Sequence, residues 1–70
     1  MTLISIVTPC YNEETNVEIL HTQIVEAMTK MPEYKFEHIF IDNASTDQTL
    51  PILRQMAKKD HQIKVIDLIP

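Results

Sequence analysis

The chain alternates short apolar runs with longer stretches in which apolar residues recur every three or four positions. Residues 3–8, 36–41 and 63–68 are short and rich in Ile and Val, which predicts three strands. Residues 15–30 and 49–59 have helical spacing. Strands joined by helical crossovers are parallel, and the crossovers are right-handed. The pattern therefore predicts a β-α-β-α-β unit, which is one half of a doubly wound α/β sheet.

The ends of the predicted elements carry local signals. Thr15 and Glu18 have the spacing of a capping box, which would start the first helix at Thr15. Pro51 is acceptable only in the first turn of a helix and places the start of the second helix near residue 49. Pro9 is predicted to end the first strand, whose weak alternation suits a strand covered on both faces. The first helix should bury one apolar stripe, made of Val17, Leu20, Ile24 and Met28.

Composition excludes several classes of protein. The 70 residues include 0 Gly, so glycine-built phosphate loops of the dinucleotide-binding and Walker types are excluded. The net charge of −4 argues against a nucleic-acid partner. A single cysteine, Cys10, excludes an internal disulfide and favours a reducing compartment. The N-terminal run has neither a basic flank nor the length of a signal peptide or membrane span.

The chemistry is concentrated in two polar segments, residues 9–14 after the first strand and residues 42–47 after the second. Ligands of open parallel sheets bind beyond the carboxyl ends of the strands, so we expect both segments at one edge. The carboxylates of Glu13 and Asp42 can accept hydrogen bonds from a base or a ribose, and Tyr11 offers a ring for stacking. Asn12 and Asn43 add amide groups to the same segments, and both are predicted to belong to the nucleotide-binding residues. Because neither segment is basic, an anionic ligand would need Mg²⁺ or Mn²⁺ held by residues beyond Pro70.

These two segments resemble the signatures of family 2 glycosyltransferases. Residues 4–14, Ile-Ser-Ile-Val-Thr-Pro-Cys-Tyr-Asn-Glu-Glu, are similar to the opening of that family, and residues 40–49 are similar to its second, acidic motif. The resemblance covers essentially the whole chain, because the spacing between the motifs and the third strand also fits. It is closest in detail to the polyprenyl-phosphate branch, which includes dolichyl-phosphate mannose synthase.

The resemblance implies a Rossmann-like GT-A fold, with residues 1–70 as the N-terminal, truncated segment that binds a nucleotide-diphosphate sugar. It implies that Pro9, Tyr11 and Glu13 contact the nucleoside and that Asp42 contacts the base or ribose. Asn43 replaces the commoner second Asp of the motif, which puts a charged role there in doubt. Ala44 replaces the usual Gly, which makes a left-handed backbone less expected. The metal-binding DxD motif and any catalytic base would follow residue 70, so we expect no catalytic residue or metal ligand in this chain.

Several of these residues also have purely structural interpretations. Residues 12–14 could serve only the start of the first helix, and residues 45–47 look first like turn and N-cap residues. Cys10 has no neighbouring base or cation that would make it a nucleophile. The three histidines fit no metal-ligand spacing and are expected to be structural or solvated; they are His21, His38 and His61.

The leading hypothesis is a metal-dependent glycosyltransferase, inactive as the segment alone, with a nucleotide sugar as donor and a lipid phosphate such as polyprenyl phosphate as acceptor. Its expected place is the cytoplasm or the cytoplasmic face of the membrane, in envelope biosynthesis, with any membrane association through parts outside this chain. The alternative is a non-catalytic nucleotide-binding or interaction module. A receiver-like signalling domain fits less well, because such a domain needs its acids directly at the end of the first strand.

Overall fold

The computed structural model describes residues 2–68 and confirms the predicted order of elements. Three strands alternate with two helices, which matches the N-terminal half of a GT-A fold. The sequence assigns strand character as far as Leu68, but the third strand ends one residue earlier. Ile69 and Pro70 lie outside the described residues. The elements are β1 (Thr2–Cys10), α1 (Val17–Thr29), β2 (Tyr34–Asp42), α2 (Thr49–Lys59) and β3 (Ile63–Asp67).

The three strands form one parallel sheet in the order β1-β2-β3. Cys10 is the register partner of Asp42, and Asp42 is the register partner of Asp67. The carboxyl ends of the strands therefore lie side by side at one rim of the sheet. The segments that follow β1 and β2 start from this rim, as the sequence predicts.

Both helices pack on one face of the sheet. Side chains that alternate along β2 reach this face, where Phe40 is fully buried. Val17 from α1 and Leu53 from α2 are buried against it, together with Ile63 at the start of β3. Burying large apolar side chains of this kind contributes about 1.5–3 kcal/mol each, so this layer is the main source of stability.

Within the described residues the helices cover one face of the sheet, so the expected burial of β1 on both faces is not met by this chain alone. Leu3, Val7 and Ile66 are each about half exposed on the opposite face. The reason is topological. Both crossovers are right-handed and both move the chain in the same direction across the sheet, so α1 and α2 lie on the same side.

Pro9 lies within β1 and does not end it, contrary to the sequence prediction. The carbonyl of Cys10 accepts a hydrogen bond from the N–H of Asn43, so Cys10 faces β2 with its backbone groups. Neighbouring residues of a strand point their backbone groups to opposite sides, so Pro9 faces the outer edge of β1. A proline is tolerated there because the N–H that it lacks has no partner to lose within the sheet.

The capping box predicted at Thr15 is wrong, since α1 begins at Val17 with Asn16 as its N-cap and no side-chain capping hydrogen bond. The backbone N–H groups of Asn16 and Val17 instead both donate to the carbonyl of Glu13. The start of α1 is thus fixed by a tight backbone turn and not by the hydroxyl of Thr15. By contrast, α2 spans the predicted residues, with Pro51 in its first turn.

Two histidines that the sequence leaves unrelated form a buried pair. The Nδ1 atoms of His21 on α1 and His38 on β2 lie 3.0 Å apart, and the rings stack with centroids 5.2 Å apart. The Nε2 atom of His38 lies 2.8 Å from the hydroxyl of Thr8, and Nε2 of His21 lies 3.1 Å from the carboxylate of Asp60. A line of hydrogen bonds therefore crosses the layer between the sheet and the helices.

The direction of these hydrogen bonds follows from the carboxylate, which only accepts. His21 must donate from Nε2 to Asp60, so in its neutral form its Nδ1 accepts from Nδ1–H of His38. Nε2 of His38 then accepts from the hydroxyl of Thr8. Every ring nitrogen of the pair has a partner when both imidazoles are neutral. Burial lowers the pKa of His38 to about 4, with a further contribution from the positive charge of a protonated His21.

Candidate functional site

The two polar segments meet at the rim of the sheet, as predicted, and are bonded to each other. We call residues 11–16 the first loop and residues 43–48 the second loop. The N–H of Asn12 donates to the hydroxyl of Ser45 at 2.9 Å, and the N–H of Glu13 donates to the hydroxyl of Thr49 at 2.8 Å. A third bond runs from the N–H of Glu14 to the carboxylate of Asp47. The loops therefore form one connected unit.

Asn12 makes most of the side-chain contacts between the loops. Its Oδ1 accepts from the N–H of Thr46 at 2.8 Å and from the N–H of Asp47 at 3.3 Å, and its Nδ2 donates to the hydroxyl of Thr46. Its backbone is left-handed, with φ of 50°, a conformation that asparagine tolerates better than most residues. The side chain that the sequence assigns to a nucleoside is thus directed to the second loop.

Asp42 lies at the end of β2 and is only 1% exposed. Its Oδ1 accepts from the hydroxyl of Ser45 at 2.6 Å, and its Oδ2 accepts from the N–H of Ser45 at 3.2 Å. Because Ser45 also accepts from Asn12, the buried carboxylate is connected through one hydroxyl to the backbone of the first loop. Asp42 therefore has a structural duty in the turn, which sequence reasoning did not find.

Asp47 is the second carboxylate that serves the loops. It accepts from the N–H and hydroxyl of Thr49 and from the N–H of Glu14. Burial alone would raise the pKa of Asp47, but these hydrogen bonds outweigh it and hold the pKa below its usual value. The expected turn role of residues 45–47 is thus confirmed, although the N-cap residue of α2 is Gln48 and makes no side-chain cap.

Ala44 has a left-handed backbone with φ of 54°, which corrects the expectation drawn from the absence of glycine at this position. The hydrogen bonds of its neighbours, Asn43 to Cys10 and Ser45 to Asp42, fix the turn on both sides. Tertiary bonds therefore hold alanine in a conformation that its own side chain disfavours.

The groups left on the surface of the loops are those that a ligand can reach. Tyr11 is 56% exposed, and Pro9, Glu13 and Asn43 are also exposed. A cavity of about 250 Å³ opens beside the first loop. It is lined by both apolar and polar residues, namely Thr8, Pro9, Cys10, Glu13, Asn16, Val17 and Leu20.

Two larger hollows of about 400 and 310 Å³ lie outside the loops. One is near the amino ends of the strands, beside Tyr34 and Lys35, and the other lies along α2, beside Pro51 and Gln55. Neither is lined by a residue of the two loops. Chemistry, and not size, therefore selects the cavity at the rim as the candidate site.

The thiol of Cys10 confirms the acidic character of this rim. Burial raises its pKa, and the charges of Asp42 and Glu13 raise it further. A raised pKa keeps the thiol protonated at neutral pH and makes it a poor nucleophile. Cys10 accordingly serves as a small buried residue at the end of β1, as the sequence analysis expects.

Sequence reasoning overlooked one acid at the rim. Asp67 ends β3 beside Asp42 in register and forms an ion pair with Arg54 of α2, with 3.2 Å between Nη2 and Oδ2. The sequence does contain a signal for an acid at this rim, because the predicted third strand, which starts at Ile63, includes an aspartate near its end. Within residues 2–68, no group of three His, Cys, Asp or Glu side chains has the arrangement of a metal site. No helix in that range is both long and apolar enough to cross a membrane.

A parallel α/β unit with acid-bearing loops at the carboxyl rim is the architecture of a nucleotide-binding half-sheet. Residues 5–69 match the model of the family described as Glycosyl transferase family 2. Since this match covers most of the chain, the chain belongs to the family 2 glycosyltransferases.

Individual relatives agree with this assignment. The chain is 37% identical over 65 residues to an uncharacterized glycosyltransferase, sll0501, of Synechocystis, which covers 93% of the chain and 20% of the relative. It is 35% identical over 63 residues to the uncharacterized glycosyltransferase YkcC of Bacillus subtilis, which covers 90% of the chain and 19% of the relative. It is also 39% identical over 64 residues to the poly(ribitol-phosphate) beta-glucosyltransferase of Bacillus spizizenii, over 91% of the chain and 10% of the relative. The chain thus spans a fifth or less of the length of these relatives.

Proposed function

We propose that this chain forms the nucleoside-binding part of a glycosyltransferase whose donor is a nucleotide-diphosphate sugar. The observation that carries the proposal is the union of the two loops at one rim of the sheet, where Tyr11 is exposed and Glu13 lines a cavity. Family membership supports the same reaction class.

The exposed groups are suited to a nucleoside. The ring of Tyr11 offers a face on which a base can stack, and the carboxylate of Glu13 accepts hydrogen bonds from ribose hydroxyls or a base N–H. Glu13 already accepts from Nδ2 of Asn16 at 2.9 Å, which holds its carboxylate at the edge of the cavity. Pro9 lines the cavity, and the exposed amide of Asn43 stands at the start of the second loop.

Asp42 contributes to this site from below the surface. With 1% of its surface exposed and both oxygens bonded to Ser45, it shapes the second loop. Each carboxylate oxygen of Asp42 keeps a further lone pair that can accept a hydrogen bond. A base N–H would reach this acceptor once Ser45 is displaced.

A divalent cation, Mg²⁺ or Mn²⁺, is part of the proposed donor complex, but the residues of this chain do not fit it. The carboxylates of Asp42 and Asp47 already accept from loop donors, and residues 2–68 contain no cluster of ligands. We therefore assign the cation to residues outside this chain and derive no step through it.

The acceptor is proposed to carry a phosphate. The resemblance to the polyprenyl-phosphate branch favours a lipid phosphate, whose oxygen would attack the anomeric carbon of the sugar while the bond to the nucleoside diphosphate breaks and that group leaves. One relative is named for a poly(ribitol-phosphate) acceptor, which supports the wider class of phosphate-bearing envelope components. Such an acceptor would place the reaction at the cytoplasmic face of the membrane.

The experiment is a calorimetric titration of the full-length protein with UDP and with GDP in the presence of Mn²⁺. Tyr11→Ala should weaken binding about 5- to 150-fold, since stacking of a base on an aromatic ring is worth roughly 1–3 kcal/mol. Tyr34→Ala is the matched control, because Tyr34 is also exposed but begins β2 at the opposite end of the sheet.

Tyr34→Ala should bind as tightly as the wild type. Failure of the wild type to bind either nucleotide would refute the proposal. Equal losses in the two tyrosine variants would show that the rim is not the site.

A further inference from the structure

We infer that Asn12 is a positioning residue, whose side chain holds the two loops together and sets the nucleoside contacts on either side of it. This inference rests on the proposed function, because the contacts that it positions are those of the proposed nucleoside site. It changes the role assigned to Asn12 by its place in the motif, from contact with the ligand to support of the groups that make contact.

The side chain of Asn12 is engaged at both of its ends. Oδ1 accepts from two consecutive backbone N–H groups, those of Thr46 and Asp47, and Nδ2 donates to the hydroxyl of Thr46. The two N–H groups occupy both lone pairs of Oδ1, and the bond to Thr46 uses one of the two hydrogens on Nδ2, so only one N–H of the side chain remains for a ligand. We call this set of bonds the Asn12 clasp.

The backbone of Asn12 is held by the same loop. Its N–H donates to Ser45, whose hydroxyl donates to the buried carboxylate of Asp42. Both the main chain and the side chain of Asn12 are thus tied to residues anchored at the end of β2. This double attachment stabilises the left-handed φ of 50° at Asn12.

The consequence reaches the ligand through sequence neighbours. Tyr11 and Glu13 flank Asn12, so the φ of Asn12 sets the direction of the chain between the exposed ring and the exposed carboxylate. If the clasp opens, these two groups lose their fixed separation although neither has been changed. Binding then requires reordering of the loop, which weakens affinity.

The test uses two substitutions that separate the clasp from the backbone conformation. Asn12→Gly keeps access to positive φ and removes the clasp. Asn12→Asp keeps an oxygen at the position of Oδ1, and the hydroxyl of Thr46 can turn to donate to the new carboxylate. Ala27→Gly, at an exposed position in α1, is a control for general destabilisation.

Each full-length protein is titrated with UDP and with GDP plus Mn²⁺, and hydrogen exchange is measured at the amides of Thr46 and Asp47. Asn12→Gly should weaken binding about tenfold, the equivalent of one or two net hydrogen bonds, and should speed exchange at both amides. Asn12→Asp should bind with an affinity within about threefold of the wild type. Exchange at both amides should be as slow in Asn12→Asp as in the wild type. Ala27→Gly should change neither readout.

The alternative outcomes are distinct. Wild-type affinity in Asn12→Gly would overturn the positioning role and leave the proposed function intact. Equal losses in Asn12→Gly and Asn12→Asp, with slow exchange kept in the aspartate variant, would mean that Nδ2 contacts the ligand directly. No binding by the wild type would overturn the proposed function and, with it, this inference.

Discussion

The buried histidine pair makes the stability of the fold depend on pH in a defined window. His38 is fully enclosed, and its pKa of about 4 in the folded state lies below the ordinary value of 6.5. Between pH 4 and pH 6.5, His38 binds a proton in the unfolded chain but not in the folded chain. The contribution of His38 to the free energy of unfolding is therefore fully present above pH 6.5 and is lost as the pH falls towards 4.

The size of the effect follows from the shift. One pKa unit corresponds to about 1.4 kcal/mol, so the window from 6.5 to 4 is worth roughly 3 kcal/mol. That is a large part of the stability of a domain of this size. The main cause is burial of the imidazole, and a proton on each ring would in addition put two N–H groups face to face across the 3.0 Å between the Nδ1 atoms.

The carboxylate of Asp60, which lies beside the histidine pair, affects stability in a lower range of pH. Asp60 faces His21 from the turn after α2, and its pKa is lowered because hydrogen bonds from Gln62 and His21 outweigh the effect of burial. Its contribution is lost only as the pH falls below 3.8. Glu18 and Lys59 line the same hollow as His21 and complete the charged groups on this side. The His38 window is thus separable from acid unfolding by carboxylates.

The assay is urea unfolding followed by circular dichroism at a series of pH values from about 7.5 to 4.5. The free energy of unfolding of the wild type should fall by about 1 kcal/mol per pH unit below 6.5. His38→Gln keeps a donor and an acceptor but does not titrate, so its stability should vary much less over this range. His61→Gln, at an exposed turn, should keep the wild-type slope. An equal slope in wild type and His38→Gln would refute the reasoning.

Two further substitutions test the strain and the packing described above. Ala44→Gly should raise the free energy of unfolding by up to about 1 kcal/mol, because glycine relieves the left-handed φ of 54°; a loss of stability in urea unfolding like that of Ala27→Gly would contradict this. Leu53→Ala should cost about 2–5 kcal/mol because Leu53 is completely buried, whereas Ile19→Ala, at a side chain 58% exposed, should cost much less. Similar urea midpoints for Leu53→Ala and Ile19→Ala would mean that packing of Leu53 from α2 does not stabilise the core.

The order of the elements and the meeting of the two loops were predictable because the signals are local. Pro51 near the start of α2 and the apolar spacing around Leu53 define that helix without tertiary information. The position of the loops needs only the rule that parallel strands point their carboxyl ends to one rim. The fold class and the location of the candidate site thus depend on short stretches of sequence.

The contacts that were not predictable join residues far apart in the chain. His21 and His38 each look structural on their own elements, and their pairing depends on how α1 docks on the sheet. The capping box at Thr15 fails because a backbone turn closed by the carbonyl of Glu13 moves the helix start to Val17. Asp42 is buried because Ser45 folds back over it, a geometry that strand and turn signals do not contain.

Pro9 limits how a further strand can pair with β1. Its position faces the edge of β1 that is unpaired within residues 2–68, and it has no hydrogen to donate, so a strand laid along this edge would lack a hydrogen bond at Pro9. Strand-to-strand association, the route by which exposed edges aggregate, is therefore interrupted one residue before the rim.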